Sequence, residues 1–88
     1  MNRAEFLDTF NELIDNRTEK FSVKGVNSAL DCVGAGIYVR CMWDLDDGQV
    51  YKYQIIVAIS PDKVMVTEWN DIDDKVFTYV RDSEFLGL

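Results

Sequence analysis

The sequence predicts an α+β domain in which an N-terminal amphipathic helix packs on a four- or five-stranded antiparallel β meander. Apolar residues recur at helical spacing near the N-terminus, period-two alternation governs two later segments, and short turn signals separate the strands.

The 88 residues make a single domain, 1–88, with room for one modest core. Hydrophobic residues make up 48% of the chain and aromatics 12%. That is too apolar for a disordered acidic tail, so the net charge of -7 decorates a folded body.

Phe6, Leu7, Phe10, Leu13 and Ile14 fall on one helical face, while Glu5, Asp8, Glu12 and Asp15 take the rest of the wheel. Asn2 is the expected cap and Glu5 completes a capping box; the helix should end near Asn16 or Arg17. Lys20 to Gly36 carries the weakest pattern, with Phe21 and Val23 suggesting a short strand and Gly25, Gly34 and Gly36 marking turns. Gly34-Ala35-Gly36 lacks the third glycine, the lysine and the following helix of a phosphate loop, and reads as a bend before a strand.

From Ile37 to Leu45 the odd positions Ile37, Val39, Cys41, Trp43 and Leu45 share a face. From Tyr51 to Ile59 the apolar set is again odd. A three-residue loop, Asp46-Asp47-Gly48, keeps both sets together by pairing Trp43 with Tyr51, Val39 with Ile55 and Ile37 with Val57, with Gly48 left-handed. Ser60-Pro61-Asp62-Lys63 signals a type I turn. The next strand, Val64 to Trp69, is expected to pair Ile59 with Val64 and Val57 with Val66, sending Met65, Thr67 and Trp69 outward.

Asn70 to Arg81 reads as a loop over Asn70 to Asp74 followed by a strand, with a helix capped by Asp71 as the alternative. As a strand it sets Phe77 and Tyr79 on an outer face with Tyr38, Met42, Ile56, Met65 and Trp69, a patch suited to a partner or a second copy. Phe85 and Leu86 are expected to dock on the body.

With no histidine, the commonest proton carrier near neutral pH is missing, as are histidine-paired nucleophiles and histidine metal sites. Asp44, Asp46, Asp47 and Gly48 depart from a calcium loop, since Gln49 stands where the glycine belongs and Ile55 where the bidentate glutamate belongs. Cys32 and Cys41 are too few for a disulfide scaffold and read as reduced, small buried hydrophobes. The expectation is therefore no enzyme, no catalytic residues, no cofactor and no metal.

The acids fall in three groups: Asp44, Asp46 and Asp47; Glu68, Asp71, Asp73 and Asp74; and Asp82 with Glu84. In a continuous meander the first two groups share one end of the sheet, where carboxylates compete with phosphates for arginine and lysine. In size, acidity and lack of catalytic residues the chain resembles small phage and mobile-element inhibitors, including anti-CRISPR and antirestriction proteins that mimic nucleic acid. The expected function is a non-catalytic protein-binding inhibitor that blocks a basic nucleic-acid-binding surface through Asp44, Asp46, Asp47, Glu68, Trp69, Asp71, Asp73, Asp74 and Tyr79. Its partner is then a protein with a basic surface, with no direct nucleic-acid or membrane binding. A toxin-neutralising immunity protein and a structural homodimer formed through the aromatic face are the alternatives. Asp8, Glu12 and Asp15 interrupt any signal-peptide core or membrane span, and a cytoplasmic protein of a bacterium or a phage-infected cell is expected.

Overall fold

The helix forms where the apolar spacing and the capping box place it. In a computed structural model that describes residues 1–17, 19–21 (backbone only) and 26–87, α1 spans Arg3–Asp15. The Glu5 N–H donates to Asn2 Oδ1 at 2.9 Å and the Asn2 N–H to Glu5 Oε1 at 3.3 Å, closing the box.

Strands follow in order: β1 (Glu19–Phe21), β2 (Ser28–Gly34), β3 (Ile37–Trp43), β4 (Val50–Ser60), β5 (Lys63–Asn70) and β6 (Lys75–Asp82), then a 3-10 turn, Ser83–Leu86. Each strand pairs antiparallel with the next, so the expected meander is five long strands plus a three-residue edge strand, β1. Val23, expected beside Phe21 in the first strand, lies outside the described residues. Among the described residues no helix is long and apolar enough to cross a membrane.

The β3–β4 register matches expectation over most of its length, with Ile37 opposite Val57 and Val39 opposite Ile55. It departs at the tip, where Trp43 pairs with Val50 rather than Tyr51. Tyr51 is the extra residue of a bulge, and the loop is correspondingly longer than the expected three residues. Gly48 takes the left-handed conformation, φ 71°.

Between β4 and β5 the pairing is one residue away from expectation. Ile56 faces Val66, Val57 faces Met65 and Ala58 faces Val64, with an irregularity between Ala58 and Ser60 absorbing the difference. A one-residue slip moves a whole strand to the other face. Val64 and Val66 accordingly pack with Leu30, Ile56 and Leu86 on the face opposite the helix. Trp69 packs with Phe6, Phe10 and Val39 beneath α1.

The expected outer aromatic face keeps Tyr38, Ile56, Tyr79 and, by register, Met42 and Phe77, but loses Met65 and Trp69. Trp69 and, by register, Met65 lie on the helix face, while Tyr38, Ile56 and Tyr79 belong to the opposite core, where Phe85 and Leu86 of the 3-10 turn pack on them. The physical reason is burial on both sides: the observed register sets Trp69 with Phe6 and Phe10 beneath α1 and Val64 and Val66 with Leu86 of the turn, so both apolar environments are filled. Burying a side chain of valine or phenylalanine size contributes about 1.5–3 kcal/mol, and a tryptophan more.

Candidate protein-binding surface

Antiparallel connection in sequence order puts alternate turns at alternate ends of the sheet. The β3–β4 loop and the β5–β6 loop share one end, and the second is tied to the strand that follows the first: the Asp71 N–H donates to the carbonyl of Tyr51, the bulged residue of β4, at 2.9 Å.

Aspartates build both loops. In the first, the Asp44 N–H donates to Gln49 O and the Gly48 N–H to Asp44 O, both at 2.8 Å. Asp44 Oδ1 accepts from the Asp46 N–H at 2.9 Å, and Asp47 Oδ1 from the Gln49 N–H at 2.8 Å. A short polar side chain that bonds backbone two residues on mimics a turn, which is why aspartate suits these positions. In the second loop Asn70 does the same work, its Oδ1 accepting from the Asp73 N–H at 2.8 Å and its carbonyl from the Asp74 N–H at 3.0 Å. Asp74 is left-handed at φ 48°, a conformation aspartate tolerates better than most residues, and its Oδ1 accepts from the Trp69 indole N–H at 3.2 Å.

Asp44, Asp46, Asp47, Asp71, Asp73 and Asp74 are thus brought together, and all six are exposed. Neither ion pair among the described residues, Arg17–Asp31 and Lys63–Asp82, involves them. Asp46 and Asp71 make no side-chain hydrogen bond among the described residues, so their carboxylates face water alone.

The other three expected contact residues lie elsewhere. Trp69 is 5% exposed, flanked by the Arg3 guanidinium at 4.6 Å from its ring and by Tyr53 at 6.0 Å between ring centroids. It supports the acidic loop from below through Asp74. Glu68, also 5% exposed, is on the opposite face with Tyr79.

Glu68 and Tyr79 belong to a polar network running across four strands. The Arg40 Nε–H donates to Gln54 Oε1 at 2.8 Å, and Gln54 Nε2 donates to Glu68 Oε1 at 2.7 Å. Glu68 also accepts from the Tyr79 hydroxyl at 2.7 Å and from Asn70 Nδ2 at 2.9 Å. Burial pushes the Glu68 carboxyl up, yet the donors Gln54, Tyr79 and Asn70, helped by Lys52, hold it net below its ordinary value. Burial and the neighbouring carboxylate push the Tyr79 phenol far above its ordinary value. Arg40 continues to the C-terminal turn, donating to the Phe85 carbonyl at 3.0 Å and stacking at 4.6 Å over the Phe85 ring. The network is a structural tie between the sheet and the turn.

The third acidic group lies at the far end of the sheet. There Asp82 pairs with Lys63, and Pro61, Asp62, Asp82, Ser83 and Glu84 line an open cleft of about 390 Å³. Among the described residues no group of three or more acids and cysteines is placed to hold a metal ion.

The expected site residues omit three apolar side chains at the acidic end. Leu45 is 64% exposed, Ile72 88% and Val26, on the connection leading into β2, 77%. A signal was present: Asp44-Leu45-Asp46-Asp47 and Asp71-Ile72-Asp73-Asp74 are the same tetrapeptide but for Leu and Ile, each lying just beyond a strand that ends in Trp or Trp-Asn. No protein-family model, curated protein or solved structure matches the chain. Fold and surface together define a small acidic α+β domain with one helix on an antiparallel meander.

Proposed function

We propose that this domain is a non-catalytic binding protein whose aspartate-bearing end occupies a basic surface on a protein partner, as an inhibitor of a nucleic-acid-binding protein would. The supporting observation is the gathering of six exposed aspartates on two loops at one end of the sheet, outside any ion pair among the described residues. Neighbouring like charges add their fields, which attracts arginine- and lysine-rich surfaces and speeds encounter at low salt. The same field repels nucleic acid and anionic lipid, which favours a protein partner.

Loops already held by their own side chains lose little conformational freedom on docking, so more of the contact energy is left for affinity. Among the groups with displaced titration, Glu68 and Tyr79 bond each other and Arg40 joins them through Gln54 beneath the C-terminal turn, while Lys63 and Asp82 form an exposed ion pair at the far end of the sheet. A cytoplasmic anti-defence protein of phage type fits this chemistry.

Capture from nuclease-treated bacterial lysate, with the tagged protein and its Asp46→Lys/Asp71→Lys variant compared at low and high salt, tests the reading. The expected result is a basic nucleic-acid-binding protein recovered at low salt by the parent and depleted both by high salt and in the variant. Equal recovery by parent and variant would remove the acidic end from the contact.

A further inference from the structure

Leu45 and Ile72 are held in solvent by specific bonds. Leu45 sits between Asp44 and Asp46, whose side-chain oxygen and backbone N–H are joined at 2.9 Å. Ile72 sits between Asp71, tied to Tyr51 O at 2.9 Å, and Asp73, tied to Asn70 Oδ1 at 2.8 Å. Neither side chain belongs to either core cluster. Single exposed apolar residues are ordinary. Two occurrences of the same Asp-aliphatic-Asp-Asp tip, on loops at the same end of one sheet, are a different matter. Strands in a sheet lie ~4.8 Å apart, so hairpin tips two strands along are separated by roughly 10 Å. That spacing fits two neighbouring side-chain pockets on one protein surface. Val26 adds a third exposed apolar side chain at this end of the sheet, beside β3, where the Asn27 carbonyl accepts from the Trp43 N–H at 3.0 Å.

We propose that the two tips are a paired recognition element: Leu45 and Ile72 enter apolar pockets on a protein partner, and the flanking aspartates engage lysines or arginines at the pocket rims. This rests on the function proposed above and sharpens it, because a groove shaped only for phosphates offers no place for the aliphatic side chains. The partner is a basic protein surface with apolar pockets. Charge selects it and sets the encounter rate, while the apolar contacts slow dissociation and persist in salt.

Two synthetic probes separate these contributions: an amphipathic Lys/Leu peptide and an oligolysine of equal charge, titrated into isotopically labelled full-length protein and followed by backbone amide shifts. Both probes should shift the amides of the two loops at low salt, and only the Lys/Leu peptide should remain bound at high salt. In Leu45→Ser/Ile72→Ser, affinity for the Lys/Leu peptide should fall by roughly tenfold or more, while oligolysine binding and the melting temperature stay unchanged. Unchanged Lys/Leu affinity in that variant, with oligolysine still bound at the loops, would overturn the paired tips and leave the charge-based function standing. Shifts in neither loop with either probe would overturn both. Binding of the parent to phosphatidylcholine vesicles, lost in the same variant, would overturn the protein pocket in favour of lipid.

Discussion

Glu68 and Asp71 are neighbours in sequence with opposite physical circumstances. Glu68 is buried against the sheet, and its oxygens accept from Gln54, Tyr79 and Asn70. Asp71 stands in water at a loop tip and makes no side-chain hydrogen bond among the described residues. The buried acid holds the fold and is closed to any partner, whereas the exposed acid contributes little to stability and is open to one. Trp69 and Asn70, between them, connect the two circumstances by bonding Asp74 and Asp73.

The sharpest way to break this contrast is to remove the connection. Trp69→Ala empties a site beneath α1 and should cost about 3–5 kcal/mol in chemical denaturation. Because it also releases Asp74, amide exchange in the β5–β6 loop should rise beyond what global destabilisation explains. Glu68→Ala strands three donors in a buried site and should cost about 3 kcal/mol, while Glu68→Gln, which keeps the shape, should cost less.

Titration tests the same buried acid from another side. The Glu68 carboxyl is held below its ordinary value of 4.5, so its contribution is complete above that pH and is lost as pH falls through the lowered value. The Tyr79 phenol is held above its ordinary value of 10.0, so its contribution is present below that pH and fades as pH rises toward the raised value. Stability should therefore be flat between these limits. In Tyr79→Phe the alkaline decline should weaken, and in Glu68→Gln the acid decline should become shallower; unchanged profiles would show that neither group is coupled to folding.

Smaller effects belong to the loops. Asp74→Ala loses the indole bond and places alanine at a left-handed position, for an expected cost of about 1–2 kcal/mol. Asp46→Lys/Asp71→Lys should change stability by no more than about 0.5 kcal/mol, the ordinary range for surface substitutions. A large loss there would mean that the exposed aspartates also hold the fold, and would erase the contrast.

Much of the architecture was legible wherever one face of an element dominates. α1 is marked by Phe6, Phe10 and the Asn2–Glu5 box, and the β3–β4 pairing by odd-numbered apolar sets that only one register keeps together. The co-location of the two acidic loops followed from the meander alone. β2 was faint because Ser28, Asp31 and Gly34 dilute its apolar pattern. Met65 and Trp69 were misplaced for a different reason: Ile55, Ile56 and Val57 are consecutive apolar residues on a strand covered on both sides, so alternation cannot say which of its faces meets the next strand's apolar set.

The sequence by itself determined α1, the β3–β4 hairpin, the turn into β5 and the end of the sheet that carries the charge, because these depend on spacing, capping and turn chemistry within short stretches; it left β2 faint and β6 open between strand and helix. Tertiary structure decided the sides. Helix α1 on one face and the Phe85–Leu86 turn on the other offer two apolar environments, and an irregularity between Ala58 and Ser60 selects the register that fills both. That choice buries Glu68 and Trp69 on opposite faces of the sheet, leaving contact with a partner to the loops beyond them.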